Sequence, residues 1–178
     1  MRAESSRTAA AVLVPVFRDT AGELRLVLVV RGARGVHGGQ LAFPGGKQEP
    51  QDESLLETAL REAEEEIGVA REHVQVVAEL EPVDTRTTGY RVHPFLARVR
   101  GARRWRVADG EITAVVTPRV RTLAEPGARV EEQFSFAHWP EPRRVECIAL
   151  EDGQLVWGLT LRLLDRLMPR LLADEWPV

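Results

Sequence analysis

The sequence contains a single cysteine, Cys147, so no internal disulfide can form and no cysteine-based zinc site is available. Asparagine is absent, and Lys47 is the only lysine in a basic complement that is otherwise arginine. No apolar run approaches the ~20 residues of a membrane span. The polar stretch Met1 to Thr8 lacks the apolar segment of a signal peptide, so a soluble, cytoplasmic protein with no membrane partner is expected. Neither sign of charge dominates: 24 Lys and Arg against 27 Asp and Glu leave a net −3, which supplies no global field for gripping nucleic acid. There is no internal repeat and no low-complexity linker. What remains is 178 residues, 44% apolar and 29% charged, which excludes a disordered tail or a collagen-like fibre. That length supports one domain, 1–178, with a real core.

Ala9 to Phe17 and Leu24 to Arg31 are apolar, β-branched and leucine-rich runs flanking the turn-rich cluster Arg18 to Gly22, which predicts a hairpin. In the glycine-rich stretch Gly32 to Gly46, only Gln40 to Phe43 reads as extended. From Ser54 the period changes: Leu56, Ala59, Leu60, Ala63 and Ile67 form one helical stripe. Ser54 with Glu57 makes a capping box and Gly68 a stop, predicting a helix over Leu55 to Ile67. Val74 to Val83, Arg91 to Arg100 and Glu111 to Pro118 read as strands, with the polar loop Asp84 to Tyr90 between the first two. Arg119 to Glu125 reads as a short helix, and Gln133 to Trp139 pairs with Val145 to Leu150. Val156, Leu159, Leu163, Leu167 and Leu171 mark a terminal amphipathic helix interrupted late by Pro169. Strands, one helix, more strands and a final helix predict an α/β (α+β) fold with a mixed sheet between helices.

On a helical wheel Glu62, Glu65 and Glu66 project together, about 125° from the apolar stripe. Their i,i+3 and i,i+4 spacings make the like charges neighbours, which opposes helix formation by a few tenths of a kcal/mol per pair. A glutamate run by itself is ordinarily a solvated helix face. Here its context differs, because Phe43-Pro44-Gly45-Gly46 precedes it and a Gly-Gly backbone permits a tight approach of a carbonyl to an ion. A hard divalent cation shared by the three carboxylates removes the repulsion and keeps sites for a substrate phosphate. Arg61, beside the first acid, can pin a neighbouring carboxylate through a bidentate contact.

Gly45-Gly46 followed by Arg61-Glu62-Ala63-Glu64-Glu65-Glu66-Ile67-Gly68-Val69 resembles the Nudix box. The second half of that pattern is matched at every fixed position. The first half departs by one residue: counting from Gly46 places Asp52 at its acid position, with one extra residue before Arg61, whereas counting back from Arg61 selects Glu53. The first count leaves Ser54 free to cap the helix and puts the insertion in a loop. Gly38 to Gly46 is similar to the segment preceding the box in Nudix coenzyme A pyrophosphatases. So are the longer box spacing, Thr58 to Glu62, Pro82-Val83-Asp84 with Thr88-Gly89-Tyr90, and Val156 to Thr160. Arg31 to His37 is one residue shorter than that group's pattern, with Gly32 in place of a small side chain.

The resemblance implies a Nudix-type α/β/α sandwich with a central mixed sheet, and hydrolysis of a nucleoside diphosphate linked to another moiety. Glu62, Glu65, Glu66 and the Gly45 carbonyl would hold Mg²⁺ or Mn²⁺, and Arg61 would orient the acids. Glu65 and Glu111 are the two candidates for the general base. For substrate binding the candidates are Arg31, His37 on the glycine loop, and Arg86 with Tyr90 on the Asp84 to Tyr90 loop. Coenzyme A or an acyl derivative is the first substrate expectation. ADP-ribose, a dinucleotide or another modified nucleotide is the second, and a non-catalytic nucleotide sensor the third. The resemblance also brings the expectation of a homodimer. His73, His93 and His138 show no metal-ligand spacing, and Cys147 reads as an apolar filler. Trp105, Trp139, Trp157 and Trp176 read as core or interface residues rather than stacking platforms, and Arg103 to Arg106 as a strand edge with solvated arginines.

Overall fold

A computed structural model describes residues 7–32, 39–85, 88–100, 105–107, 110–136 and 139–178. The strands are β1 (Thr8–Arg18), β2 (Leu24–Leu26), β3 (Leu28–Arg31), β4 (Leu41–Ala42) and β5 (Gly45–Lys47), followed by helix α1 (Leu55–Ile67). Then come β6 (Val74–Glu79), β7 (Val83–Asp84), β8 (Tyr90–Val99), β9 (Ile112–Val116) and the short α2 (Val120–Leu123). The chain ends with β10 (Arg129–Phe134), β11 (Arg143–Ala149), β12 (Leu155–Val156) and α3 (Gly158–Leu172).

β1 organises the molecule. One of its edges runs parallel to β8 from Thr8↔Tyr90 to Val16↔Arg98, and the other is shared antiparallel by β5 and β2. β6 and β7 continue the sheet beyond β8, while β4-β3-β9 and β10-β11-β12 form two three-stranded sheets. The side-chain period of 2 divides the core. Ala11, Leu13 and Phe17 of β1 face one apolar cluster with Ala59, Ala63 and Ile67 of α1, whereas Val14 and Val16 face a second with Leu164, Leu167 and Leu171 of α3. β3 and β8 alternate the same way: Val29 and Phe95 go to the first cluster, Leu28 and Leu96 to the second. The result is helix, sheet, helix, as expected. Among the described residues no helix is long and apolar enough to cross a membrane.

The expected hairpin forms between β1 and β2, with Asp19 Oδ1 accepting the Ala21 and Glu23 N–H groups at 2.9 and 3.0 Å. The run Leu24 to Arg31 is nevertheless two strands. It breaks at Val27, whose N–H bonds Pro15 O at 2.9 Å, and the chain then leaves β1 to join β9 and β4. A continuous apolar run carries no mark of a change of partner. Val74 to Val83 is likewise divided into β6 and β7, both paired to β8. β10 begins at Arg129 and ends at Phe134, so it pairs with β11 as expected but over an earlier segment.

α1 has the expected ends: Ser54 Oγ accepts the Glu57 N–H at 3.1 Å, and Gly68 closes the helix at φ 68°. Only half of the capping box forms, because the Glu57 carboxylate pairs with Arg71. Arg106 N–H caps the Ile67 carbonyl at 3.1 Å, and residues 105–107 are not a strand, which corrects that part of the Arg103 to Arg106 expectation. Arg103 and Arg104 lie outside the described residues. α3 runs through Pro169 to Leu172, so the expected interruption is absent; the proline ends only the contribution of its own N–H.

A candidate active site beside the double glycine

The three glutamates that the helical wheel groups together occupy three different environments. Glu66 stands at the margin of the apolar stripe and is only 4% exposed, the Glu62 side chain is 14% exposed, and the Glu65 side chain 57%. Glu66 Oε2 accepts the Gly45 N–H at 3.1 Å. Burial pushes the Glu66 carboxyl up to about 7 against that hydrogen bond; the charges of Glu62 and Glu111 add to the rise and Arg31 opposes it. Burial also raises Glu62, with Arg61 pulling the other way and Glu65 and Glu111 adding to the rise.

The two glycines have separate jobs. Gly45 lies against β1 so closely that a Cβ would overlap the Ala11 carbonyl and come within 2.7 Å of Val12 Cα. A Cβ on Gly46 would instead overlap the Glu62 carboxylate, 2.6 Å from its Cδ, so the missing side chain is the seat of that acid. β5 was not legible as a strand because glycine has low strand propensity; its pairing with Ala10–Val12 of β1 supplies the order.

Arg61 is the hub that keeps the acids in place. Its Nε and Nη2 donate to Asp52 Oδ1 and Oδ2 at 2.9 and 3.0 Å, its Nη1 reaches Glu62 and Glu65 at 3.2 and 3.0 Å, and Nη2 also meets Lys47 O at 3.3 Å. Asp52 further accepts from the buried Thr58 hydroxyl and the Glu49 N–H, each at 2.9 Å. Arg61 therefore holds the Asp52 carboxyl well below the usual carboxylate range. Of the two acids before the helix, Asp52 faces Arg61 and Glu53 is exposed. The extra residue of the connection is taken up in a turn closed by Asp52 N–H to Glu49 O at 3.0 Å.

Arg31 and Glu111 arrive together because Arg31 of β3 is registered with Ile112 of β9, across a bulge at Val30/Arg31. Gly32 N–H donates to Glu111 O at 2.8 Å, and a Cβ on Gly32 would press within 3.1 Å of the Gly110 and Glu111 carbonyls. That contact gives the glycine in place of a small side chain a steric reason. Glu111 lies in the turn just before β9 rather than in the strand, exposed, with its charge felt by Glu62 and Glu66.

The donor chemistry fits a hard dication. A buried and a half-buried carboxylate in each other's field are costly when both are ionised, and an oxygen-preferring cation between them removes that cost. Among the described residues no three acids already stand as a ready-made ligand set; Glu65 is engaged by Arg61 and must turn from it to join.

Gly45 and Gly46 line a cavity of about 750 Å³, together with Arg31, Lys47 and Tyr90. Lys47 Nζ sits 5.4 Å from the centroid of the Tyr90 ring, and Thr85 N–H bonds Tyr90 O at 2.8 Å, closing the base of that loop. Arg31 and Tyr90 are thus brought to the site, while His37 and Arg86 lie outside the described residues. The cavity continues to Phe136, Trp139 and Trp157, which the sequence reading did not assign to a site. Trp105 and Trp176 do pack as expected, against Phe17 and the α3 core, but Trp139 and Trp157 present surface to the cavity.

The NUDIX domain profile matches residues 7–142. An uncharacterized Nudix hydrolase, NudL, of Yersinia enterocolitica is 33% identical over 164 residues, covering 89% of this chain and 78% of the relative. A NudL of Salmonella paratyphi B is 41% identical over 158 residues, covering 89% and 80%. In fold, the chain is similar to the NUDIX domain of Shewanella oneidensis NrtR complexed with ADP ribose, at TM-score 0.61 and 14% identity, covering 96% and 92% of the two chains. The domain match and the two relatives show that the chain belongs to the Nudix hydrolase family.

Proposed function

We propose that this Nudix pyrophosphohydrolase acts on coenzyme A or an acyl-coenzyme A, giving 3′,5′-ADP and the corresponding 4′-phosphopantetheine. One observation carries the reading. The three separate segments that resemble coenzyme A pyrophosphatases, Gly38 to Gly46, Thr88 to Tyr90 and Val156 to Thr160, all contribute to the wall of the same cavity: Gln40, Phe43 and Gly45 from the first, Thr88 and Tyr90 from the second, Trp157 and Thr160 from the third. Thr160 Oγ1 donates to Leu41 O at 2.9 Å, joining the first segment to the third.

Nudix enzymes generally need divalent metal ions. Here Glu62, Glu65, Glu66 and the Gly45 carbonyl would hold Mg²⁺ or Mn²⁺, which when bound supplies neutralisation of pyrophosphate charge and a more acidic water. Arg61 keeps Glu62 and Glu65 oriented and does not itself meet substrate. Arg31, whose charge acts on Glu66, and Lys47, next to Gly46 in β5, put two positive charges on the cavity wall that would draw the pyrophosphate toward the acids. Glu65, exposed and held by Arg61, and Glu111, exposed on the turn before β9, are the two groups proposed to take a proton from the attacking water. Water attacks one phosphorus and the bridging oxygen leaves with the other phosphate.

The test is a panel of coenzyme A, ADP-ribose, NADH and diadenosine polyphosphates, each with Mg²⁺ or Mn²⁺. Coenzyme A or its acyl form is expected to give the highest kcat/KM, with 3′,5′-ADP identified as product. Rapid turnover of ADP-ribose with coenzyme A left intact would overturn the substrate assignment and leave the family assignment standing.

A further inference from the structure

The aromatic part of the cavity wall differs in kind from the acid cluster beside Gly45 and Gly46. Phe136 and Trp157 lie nearly parallel, with ring centroids 5.4 Å apart at 26°, and Phe134 backs Trp157 at 4.7 Å and 27°. Trp139 stands edge-on to both, 5.0 Å from Phe136 at 80° and 6.5 Å from Trp157 at 76°. Phe136, Trp139 and Trp157 are each half-buried and line the cavity. The guanidinium of the exposed Arg143 lies over the Trp139 ring, 5.2 Å from its centroid. Glu146, the acid on the same wall, is paired with Arg129 at 3.0 Å and does not cancel Arg143.

A corner of flat rings with a cation beside it suits a planar, π-rich group next to a negative charge. Stacking of a base on such rings strengthens binding by about tenfold or more. A flexible pantetheine arm offers no flat face and carries amides that want polar partners. We propose that Phe136, Trp139 and Trp157 form the subsite for the nucleobase of the substrate, with Arg143 meeting a phosphate on its ribose. The proposal rests on the reading that this cavity takes the substrate, and names which end of the substrate lies where: pyrophosphate at Gly45 to Lys47, base at the aromatic wall.

The test uses the full chain and intrinsic tryptophan fluorescence, with 3′,5′-ADP, AMP and 4′-phosphopantetheine as probes. Both nucleotides are expected to quench the emission saturably and phosphopantetheine is not. Trp139→Ala should weaken AMP binding about tenfold and raise KM to match with kcat within twofold, whereas Trp139→Phe should restore most of the affinity. Arg143→Ala should remove the preference for 3′,5′-ADP over AMP. Quenching by phosphopantetheine alone, or unchanged nucleotide binding in Trp139→Ala with its melting temperature intact, overturns the proposal. If coenzyme A proves inert while AMP still binds at Trp139, the subsite stands and only the substrate assignment of the preceding section falls.

Discussion

At one end of the candidate site, beside Gly45 and Gly46, Glu62 and Glu66 sit one turn apart on a 13-residue helix, and Arg61 ties the cluster to Asp52. At the other end Phe136, Trp139 and Trp157 come from the connection after β10 and the start of α3, and are held by one another. The first end is fixed by local spacing and by ion pairs that impose direction. The second is fixed by tertiary packing, which has little directional preference. On the proposed reading, chemistry that tolerates no displacement sits on the helix, and recognition, which tolerates repacking, sits on the loops.

The largest expected effect tests the rigid end. Glu66→Gln should lower kcat by about 10³-fold or more while the fold persists, checked by product release with Mg²⁺ and by calorimetry. The same variant has a definite pH signature. Between pH 4.5 and about 7 the folded protein keeps on Glu66 a proton that the unfolded chain has released, so metal-free stability falls as pH rises through that window. Glu66→Gln should lack this fall and, at pH 8, exceed the wild type by up to about 3 kcal/mol. A wild type whose metal-free stability is flat from pH 4.5 to 8 would show that Glu66 is not held up by its surroundings.

Next in size is the arginine hub. Arg61→Ala leaves Asp52, whose side chain is 4% exposed, without its partner and should cost about 3 kcal/mol at pH 7 by denaturant unfolding. Because Arg61 depresses the Asp52 carboxyl, the stability this pair contributes is present above the unfolded value of 3.8 and is lost as pH falls below it. The gap between wild type and variant should accordingly close in acid.

The smallest effect separates the glycines. Gly46→Ala should displace only the end of the Glu62 side chain, lowering kcat about tenfold with little change in melting temperature. Gly45→Ala meets β1 backbone instead and should lose stability outright. Equal losses of stability in both would erase the distinction drawn between them.

α1 was legible in the sequence almost to the residue, because its caps, stripe and acids are encoded within reach of one another: Ser54, Ala59, Ala63, Glu66, Gly68. The continuous apolar run of β1 likewise marked it as a strand, and the structure buries it on both faces. The break at Val27 was not legible, since what divides β2 from β3 is a change of neighbour and the neighbours are distant in sequence. The unequal burial of Glu62, Glu65 and Glu66 escaped the wheel for the same reason: it depends on where β5 lies, and β5 is ordered by β1. In the sequence Trp139 and Trp157 read as core or interface residues because aromatic residues usually are, and only the assembled cavity distinguishes a ring that fills space from one that borders it.

The turn from Glu49 to Asp52 leaves one last consequence. By absorbing a surplus residue in a closed bend and still delivering a carboxylate to Arg61, it uncouples the length of this connection from the alignment of the helix that follows. A lineage carrying such a bend can gain or lose residues there under weak selection, so a search that insists on fixed spacing across the whole signature will overlook intact members of the family.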